Sequence, residues 1–177
     1  FAEKGGAFEM VQLWVNLPAK DKMAAPGYQG IAAARIPEAE LPRGAGTVRV
    51  IAGEYAGGTV GPARTFTPMN VWDLRLRAGH RVSFDLPAGH TTALFVLRGE
   101  IRLGDRLAVR AAELAVMERD DSRLSFDVSE DATVLLLNGQ PLDEPVVGHG
   151  PFVMNSQAEI IQAIKDFNSG RFGQIGH

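Results

Sequence analysis

The chain has 177 residues, 45% of them hydrophobic, with 20 glycines, 10 prolines, no cysteine and a formal charge of −3. That content suffices for a buried core and suits many short strands joined by tight turns, and the small negative charge gives no electrostatic basis for gripping nucleic acid or an anionic membrane. The lack of cysteine excludes disulfides, thiolate catalysis and cysteine-held zinc or iron–sulfur sites and favours a reducing compartment.

No apolar run reaches the roughly 18 residues needed to span a bilayer, and no signal-peptide pattern occurs, so the sequence reads as soluble and cytoplasmic. In chain order, residues 10–17 (Met-Val-Gln-Leu-Trp-Val-Asn-Leu) read as a strand apolar on both faces, which requires neighbours on both sides. Residues 18–23 and the Pro26-Gly27 pair mark a connector. Residues 28–36 suit a short extended piece, and 37–46 read as a loop. Residues 47–52 set Val48, Val50 and Ala52 against Arg49 and Ile51, the alternation of a strand, and 54–62 form a glycine-rich turn region. Residues 69–77 place Trp72, Leu74 and Leu76 on one face and Asp73, Arg75 and Arg77 on the other. Val82, Phe84 and Leu86 then alternate with Arg81, Ser83 and Asp85 until Pro87-Ala88-Gly89 ends the strand.

Residues 91–97 are apolar at nearly every position, as expected where both faces are covered, and Arg98-Gly99-Glu100 turns the chain into a run carrying Ile101 and Leu103. The pairs Leu107/Val109 and Leu114/Val116, the triplet Leu124/Phe126/Val128 and residues 134–137 add further strands, separated by turn residues such as Asp120-Asp121 and Glu130-Asp131. Strand after short strand with no helix between predicts an all-β sandwich or barrel. Only the end departs from this. Ser156-Gln157-Ala158-Glu159 is a capping box that starts a helix, with the serine hydroxyl taking the third helical amide and the glutamate reaching back to the serine amide. Ile160, Ala163, Ile164 and Phe167 share one face of that helix, and Gly170 is placed to stop it.

Pro87-Ala88-Gly89-His90 in such a barrel resembles the turn of a cupin, which raises the question of a metal. A cupin-type site needs two histidines two residues apart on one strand, a carboxylate a few residues on, and another histidine from a later strand. Here Thr92 stands where the second histidine belongs, Val96 stands near the carboxylate's place, and no histidine occurs from 91 to 148. His80, His90, His149 and His177 are scattered; either His80 and His90 join Glu100 or Glu113 in a pocket, or they are turn and surface residues. Ser122, Ser125 and Ser129 have no histidine or nucleophile elbow nearby. Glu100, Glu113, Glu118, Asp120 and Asp121 read as solvated turns and strand faces rather than a general acid–base pair, and Gly57-Gly58 lacks the lysine-bearing helix of a phosphate cradle. The sequence nominates no catalytic, cofactor-binding or metal-ligating residue. A metal-free apolar pocket lined by Phe84, Phe95 and Phe126 stays open as an alternative.

Two longer runs go beyond periodicity. Leu13-Trp14-Val15-Asn16-Leu17-Pro18-Ala19-Lys20-Asp21-Lys22-Met23 is the first, and His149-Gly150-Pro151-Phe152-Val153-Met154-Asn155 the second. The latter is followed by the capped helix through Ala163 and Asp166-Phe167, and by Gly170-Arg171-Phe172-Gly173. With the cupin-like stretch between them, they resemble the pirin family over nearly the whole chain. The resemblance implies a bicupin, two β-barrels packed face to face, with non-haem iron held by three histidines and a glutamate in the N-terminal barrel. It also implies either quercetin 2,3-dioxygenase activity or transcriptional co-regulation, in cytoplasm or nucleus. The family's last ligand motif, a His-Xaa-Glu, would fall just before Phe1, so no ligand carries over to this sequence.

The resemblance therefore divides the chain into three parts. Residues 1–20 are a remnant of the N-terminal cupin, its last strand and linker; 21–150 are the C-terminal cupin barrel; 151–177 are a tail whose amphipathic helix packs on the N-terminal cupin's side. The implied partners are the missing N-terminal cupin or a second copy of the chain, together with a possible regulatory protein; nucleic acid and membrane are not among them. Iron belongs to the missing barrel, and this portion by itself is expected to hold no cofactor.

Overall fold

The structure, a computed structural model, describes residues 3–105, 107–120 and 122–172; Phe1, Asp121, Gly173 and His177, named above, lie outside them. The chain divides into two compact units, one running from Ala24 to Asp143 and the other joining residues up to Met23 with those from Glu144 onward.

The first unit is built from twelve of the strands. They are β1 (Glu38–Glu40), β2 (Gly46–Ala52), β3 (Glu54–Tyr55), β4 (Thr59–Val60), β5 (Met69–Leu76), β6 (Arg81–Asp85), β7 (Thr91–Arg98), β8 (Glu100–Leu103), β9 (Leu107–Arg110), β10 (Leu114–Met117), β11 (Arg123–Val128) and β12 (Ala132–Gly139). A six-stranded sheet in the order β1-β2-β5-β12-β7-β10 faces a four-stranded sheet in the order β6-β11-β8-β9, and β3 and β4 form a small hairpin. The alternation predicted for residues 47–52, 69–77 and 81–86 is what buries one face of each: Val48, Val50, Trp72, Leu74, Val82 and Phe84 all point into the core. Residues 28–36 hold a short 3-10 turn at Ala33–Arg35 rather than an extended piece, and the loop read over 37–46 contains the edge strand β1.

Two expectations about coverage change in detail. In β7 only Thr92, Leu94 and Val96 are buried, while Ala93, Phe95 and Leu97 on the other face are half-buried. Phe95 therefore points away from Phe84 and Phe126, and the three do not line one pocket, because strand geometry sends residues of opposite parity to opposite faces. The interior is filled instead by an aromatic run. Tyr55 and Trp72 meet edge to face at 5.3 Å, Trp72 and Phe84 at 5.9 Å, and Phe84 and Phe126 at 6.1 Å. Such contacts add to the burial term of the rings.

The second unit contains β13 (Val147–His149), β14 (Phe152–Met154) and α1 (Gln157–Asn168). Ser156 caps the helix: its hydroxyl accepts from the Glu159 amide at 3.3 Å. The glutamate differs from a simple capping box. Its Oε2 accepts from the Ser156 hydroxyl at 2.8 Å and from the Asn155 amide at 3.1 Å, reaching one residue beyond the serine amide. The helix closes with Gly170 at φ +76° and the Arg171 amide bonded back to the Asp166 carbonyl, a Schellman-type stop. Ile160 and Ala163 are buried, and Phe167 stacks with Phe152 and Phe172 at about 6 Å. Residues 10–17 form no ladder with any described strand; a strand exists only through a hydrogen-bonded neighbour. Trp14 is left 74% exposed and Val15 54%. Among the described residues no helix is long and apolar enough to cross a membrane.

Two expectations follow from the core. Phe126 is fully buried, so Phe126→Ala should lower unfolding stability by about 3–5 kcal/mol in urea titrations. Burial lifts the Tyr55 phenol above its ordinary value of 10.0. A raised folded-state value means that this stability contribution is intact below pH 10.0 and is lost as pH rises through the folded value. Tyr55→Phe should flatten that alkaline loss, measured by the urea midpoint across the same range.

Candidate functional site

The place to look for chemistry is the mouth of the barrel where His90 enters β7. Asn70 of β5, Asn138 of β12 and Thr92 of β7 lie side by side in one cross-strand row, with Asn70 opposite Asn138 and Asn138 opposite Thr92. All three share the interior parity of their strands, directly above Trp72, Leu136 and Leu94, and Thr92 and Asn138 are buried.

The polarity of this row can be derived from one end. The backbone amide of Glu54 can only donate, and it bonds Asn70 Oδ1 at 3.1 Å. Asn70 must therefore present its Nδ2 to Asn138, where Oδ1 accepts at 3.1 Å. That orients Asn138 Nδ2 toward Thr92 Oγ1, 2.9 Å away. His90 Nδ1 lies 3.2 Å from the same Asn138 Oδ1, so Nδ1 carries the proton and, in the neutral ring, Nε2 carries the lone pair. Gly53 makes room for the arrangement: a Cβ there would fall 2.0 Å from Asn70 Oδ1.

This donor set does not fit a non-haem iron. It offers one imidazole, a hydroxyl and two carboxamides, and the carboxamide of Asn138 is already bonded on both its oxygen and its nitrogen. Among the described residues no three histidine, aspartate or glutamate side chains come together as a metal cluster.

The other nominated residues are dispersed. His80 Nδ1 sits 3.1 Å from the Ala78 carbonyl in a turn, and His149 is exposed in β13. Glu100 pairs with Arg110 Nε at 2.9 Å while Glu113 accepts the Arg110 amide, so both carboxylates serve a hairpin and neither meets His80 or His90. Ser125 shares a hydrogen bond with Ser83 across the ladder, Ser122 and Ser129 are exposed, and Glu118 and Asp120 are solvated. Gly57-Gly58 turns the β3–β4 hairpin. Asn70 and Asn138 were not among the residues that sequence reasoning singled out. Their signal is nonetheless present: each is a polar residue at an interior position, Asn138 continuing the parity of Val134 and Leu136, and Asn70 that of Trp72 and Leu74.

Two sheets closed on an apolar interior, with a satisfied polar row at one mouth, define a cupin-type β-barrel. The profile of the Pirin C-terminal cupin domain matches residues 71–173. A Pseudomonas aeruginosa protein named provisionally as a quercetin 2,3-dioxygenase is 54% identical over 172 residues, covering 97% of this chain and 59% of that protein. Mouse pirin is 38% identical over 170 residues, covering 94% of this chain and 58% of its own length. A crystal structure of quercetin 2,3-dioxygenase from Acinetobacter baumannii superposes with a TM-score of 0.86 at 45% identity, covering 92% of this chain and 56% of that one. The chain belongs to the pirin family, and it spans about three-fifths of the length of the curated relatives it matches.

The row has a measurable stability role. Asn138→Ala strips Asn70 Nδ2, His90 Nδ1 and Thr92 Oγ1 of their shared partner and should cost about 1–3 kcal/mol in urea unfolding.

Proposed function

We propose that this chain is the C-terminal cupin portion of a longer, cytoplasmic pirin-like protein, that it is metal-free by itself, and that it supports and partly walls a metal-holding N-terminal cupin. The whole protein would then act as an iron-dependent enzyme of the quercetin 2,3-dioxygenase type. The observation that carries this reading is the closed hydrogen-bond row Asn70–Asn138–Thr92, which occupies the interior position where a cupin would display its imidazoles. The names of the relatives supply the substrate class, and the share of their length that this chain spans leaves room for another domain.

Metal analysis and quercetin turnover test it together. The chain alone should carry no stoichiometric iron and consume no quercetin, whereas the protein including the upstream cupin should do both. Stoichiometric iron on this chain alone would overturn the reading.

A second reading, a non-catalytic interaction or co-regulatory module, is favoured by residues 10–17, whose Met10, Trp14 and Val15 are exposed. Its partner would be the N-terminal cupin, a second copy or a regulatory protein. Light scattering coupled to size exclusion distinguishes the two, since a stable monomer of this chain with no tendency to associate counts against the module.

A further inference from the structure

The hairpin of β3 and β4 stands at the barrel mouth, beside the polar row. The Glu54 amide bonds Asn70 Oδ1 at 3.1 Å, and the hairpin's own ladder has two rungs, Glu54 opposite Val60 and Tyr55 opposite Thr59. Glu54, Ala56, Gly57, Gly58 and Val60 are exposed, and a Cβ at Gly57 or Gly58 would meet nothing within 4 Å, so the tip stands clear of the barrel. Tyr55 is the hairpin residue that packs against the core: its ring lies 5.3 Å from that of Trp72 at 82° and 6.3 Å from that of Phe84 at 61°. Withdrawing this side chain would cost the contacts of one ring and leave the base of the hairpin fastened, the Gly61 amide bonding the Gly53 carbonyl at 2.8 Å. Tyr55 is placed as a plug.

Against the plug lies a donor without an acceptor. Trp72 is 2% exposed, and its buried Nε1 bonds no group among the described residues. A buried N–H that loses water and gains no acceptor is costly, and such groups are rare in folded proteins. The carboxamide oxygens of the neighbouring row already serve other donors: Asn70 Oδ1 takes the Glu54 amide, and Asn138 Oδ1 takes Asn70 Nδ2 and His90 Nδ1. Nor does Tyr55 satisfy the indole that its ring meets, because its side-chain oxygen is fixed at the far end of a ring tethered to the hairpin.

We infer that the space Tyr55 occupies is a closed binding site for a small, uncharged aromatic molecule with a hydrogen-bond-accepting oxygen beside its ring, and that Tyr55 swings out to admit it. The ligand's ring would replace the phenol against Trp72 and Phe84, where aromatic edges and faces attract one another. Its oxygen, free of any tether, would turn to accept from Trp72 Nε1. A carboxylate is disfavoured, because none of the residues that would enclose it here is a lysine or arginine to offset the burial of its charge. The inference concerns the interior of this barrel and stands or falls separately from the dioxygenase reading.

The test is a two-dimensional proton–nitrogen NMR titration of the full 177-residue chain, whose two tryptophans are Trp14 and Trp72, so that Trp14→Phe leaves a single indole N–H resonance to follow. The probe is acetophenone, and ethylbenzene is the control of matching shape without the acceptor. Acetophenone should move the Trp72 indole proton downfield and saturably, with amide shifts confined to the hairpin, Trp72, Phe84 and their neighbours. Ethylbenzene should bind about tenfold more weakly and leave the indole proton near its starting position. Tyr55→Ala removes the plug and should tighten acetophenone binding about tenfold or more. Should that variant not fold, Tyr55→Leu, which keeps an apolar contact, should change affinity in the same direction by less. An indole proton unmoved by acetophenone in the parent and the Tyr55 variant, ethylbenzene binding as tightly as acetophenone, or affinity unchanged or weakened on replacing Tyr55 would overturn the inference.

Discussion

β12 is hydrogen-bonded along both edges, to β5 on one side and β7 on the other, and its register decides what every neighbouring side chain faces. Because strand side chains alternate, a slip of one residue would carry Val134, Leu136 and Asn138 out of the barrel and put Thr133 and Leu135 inside. The same register therefore sets two polar cross-strand rows. At one end it brings Asn138 between Asn70 and Thr92 in the interior, and at the other it brings Thr133 between Arg75 and Arg98 on the outside. The bulge in the β12–β7 ladder is what allows the second row to extend to β7.

The interior row shows how a barrel mouth can carry buried polar groups that bond one another. A buried amide or hydroxyl is costly unless bonded, and here each partner satisfies the next, starting from a backbone amide that can only donate. The aromatic run beneath it, from Tyr55 through Trp72 and Phe84 to Phe126, packs ring against ring within the buried core. On the outer face, the mostly buried Asp73 carboxylate is shared through Oδ2 by Arg49, at 2.9 Å, and by the largely exposed Arg75, at 3.6 Å.

The second unit obeys different rules. Its helix is defined by local chemistry, with a serine cap, a glutamate that gathers the Asn155 amide and the cap hydroxyl, and a glycine stop. Asn155 also donates from Nδ2 to Glu144 and to the Pro145 carbonyl, and Glu144 accepts from the Ala19 amide, so two distant stretches of chain are tied through one carboxylate.

By itself the sequence determined the elements whose signal is local. The alternation in β2, β5 and β6, the capped helix from Ser156 and the glycine at its end are written in periods and residue types that act within a few positions. The two runs at 13–23 and 149–155 were legible as a family likeness, and the misplacement of histidines around His90 was visible from spacing alone. Tertiary structure decided the rest. Residues 10–17 carry the composition of a strand, yet a strand needs a neighbour, and none of those described pairs with them. Phe95 looked equivalent to Phe84 and Phe126 until its parity in β7 placed it on the opposite face. Asn70, Thr92 and Asn138 are separated by 22 and 46 positions in the chain, and only the pairing of β5, β12 and β7 makes them one row. Nor could Arg98 be foreseen beside Thr133, because its place depends on a bulge, a property of two strands together rather than of either alone.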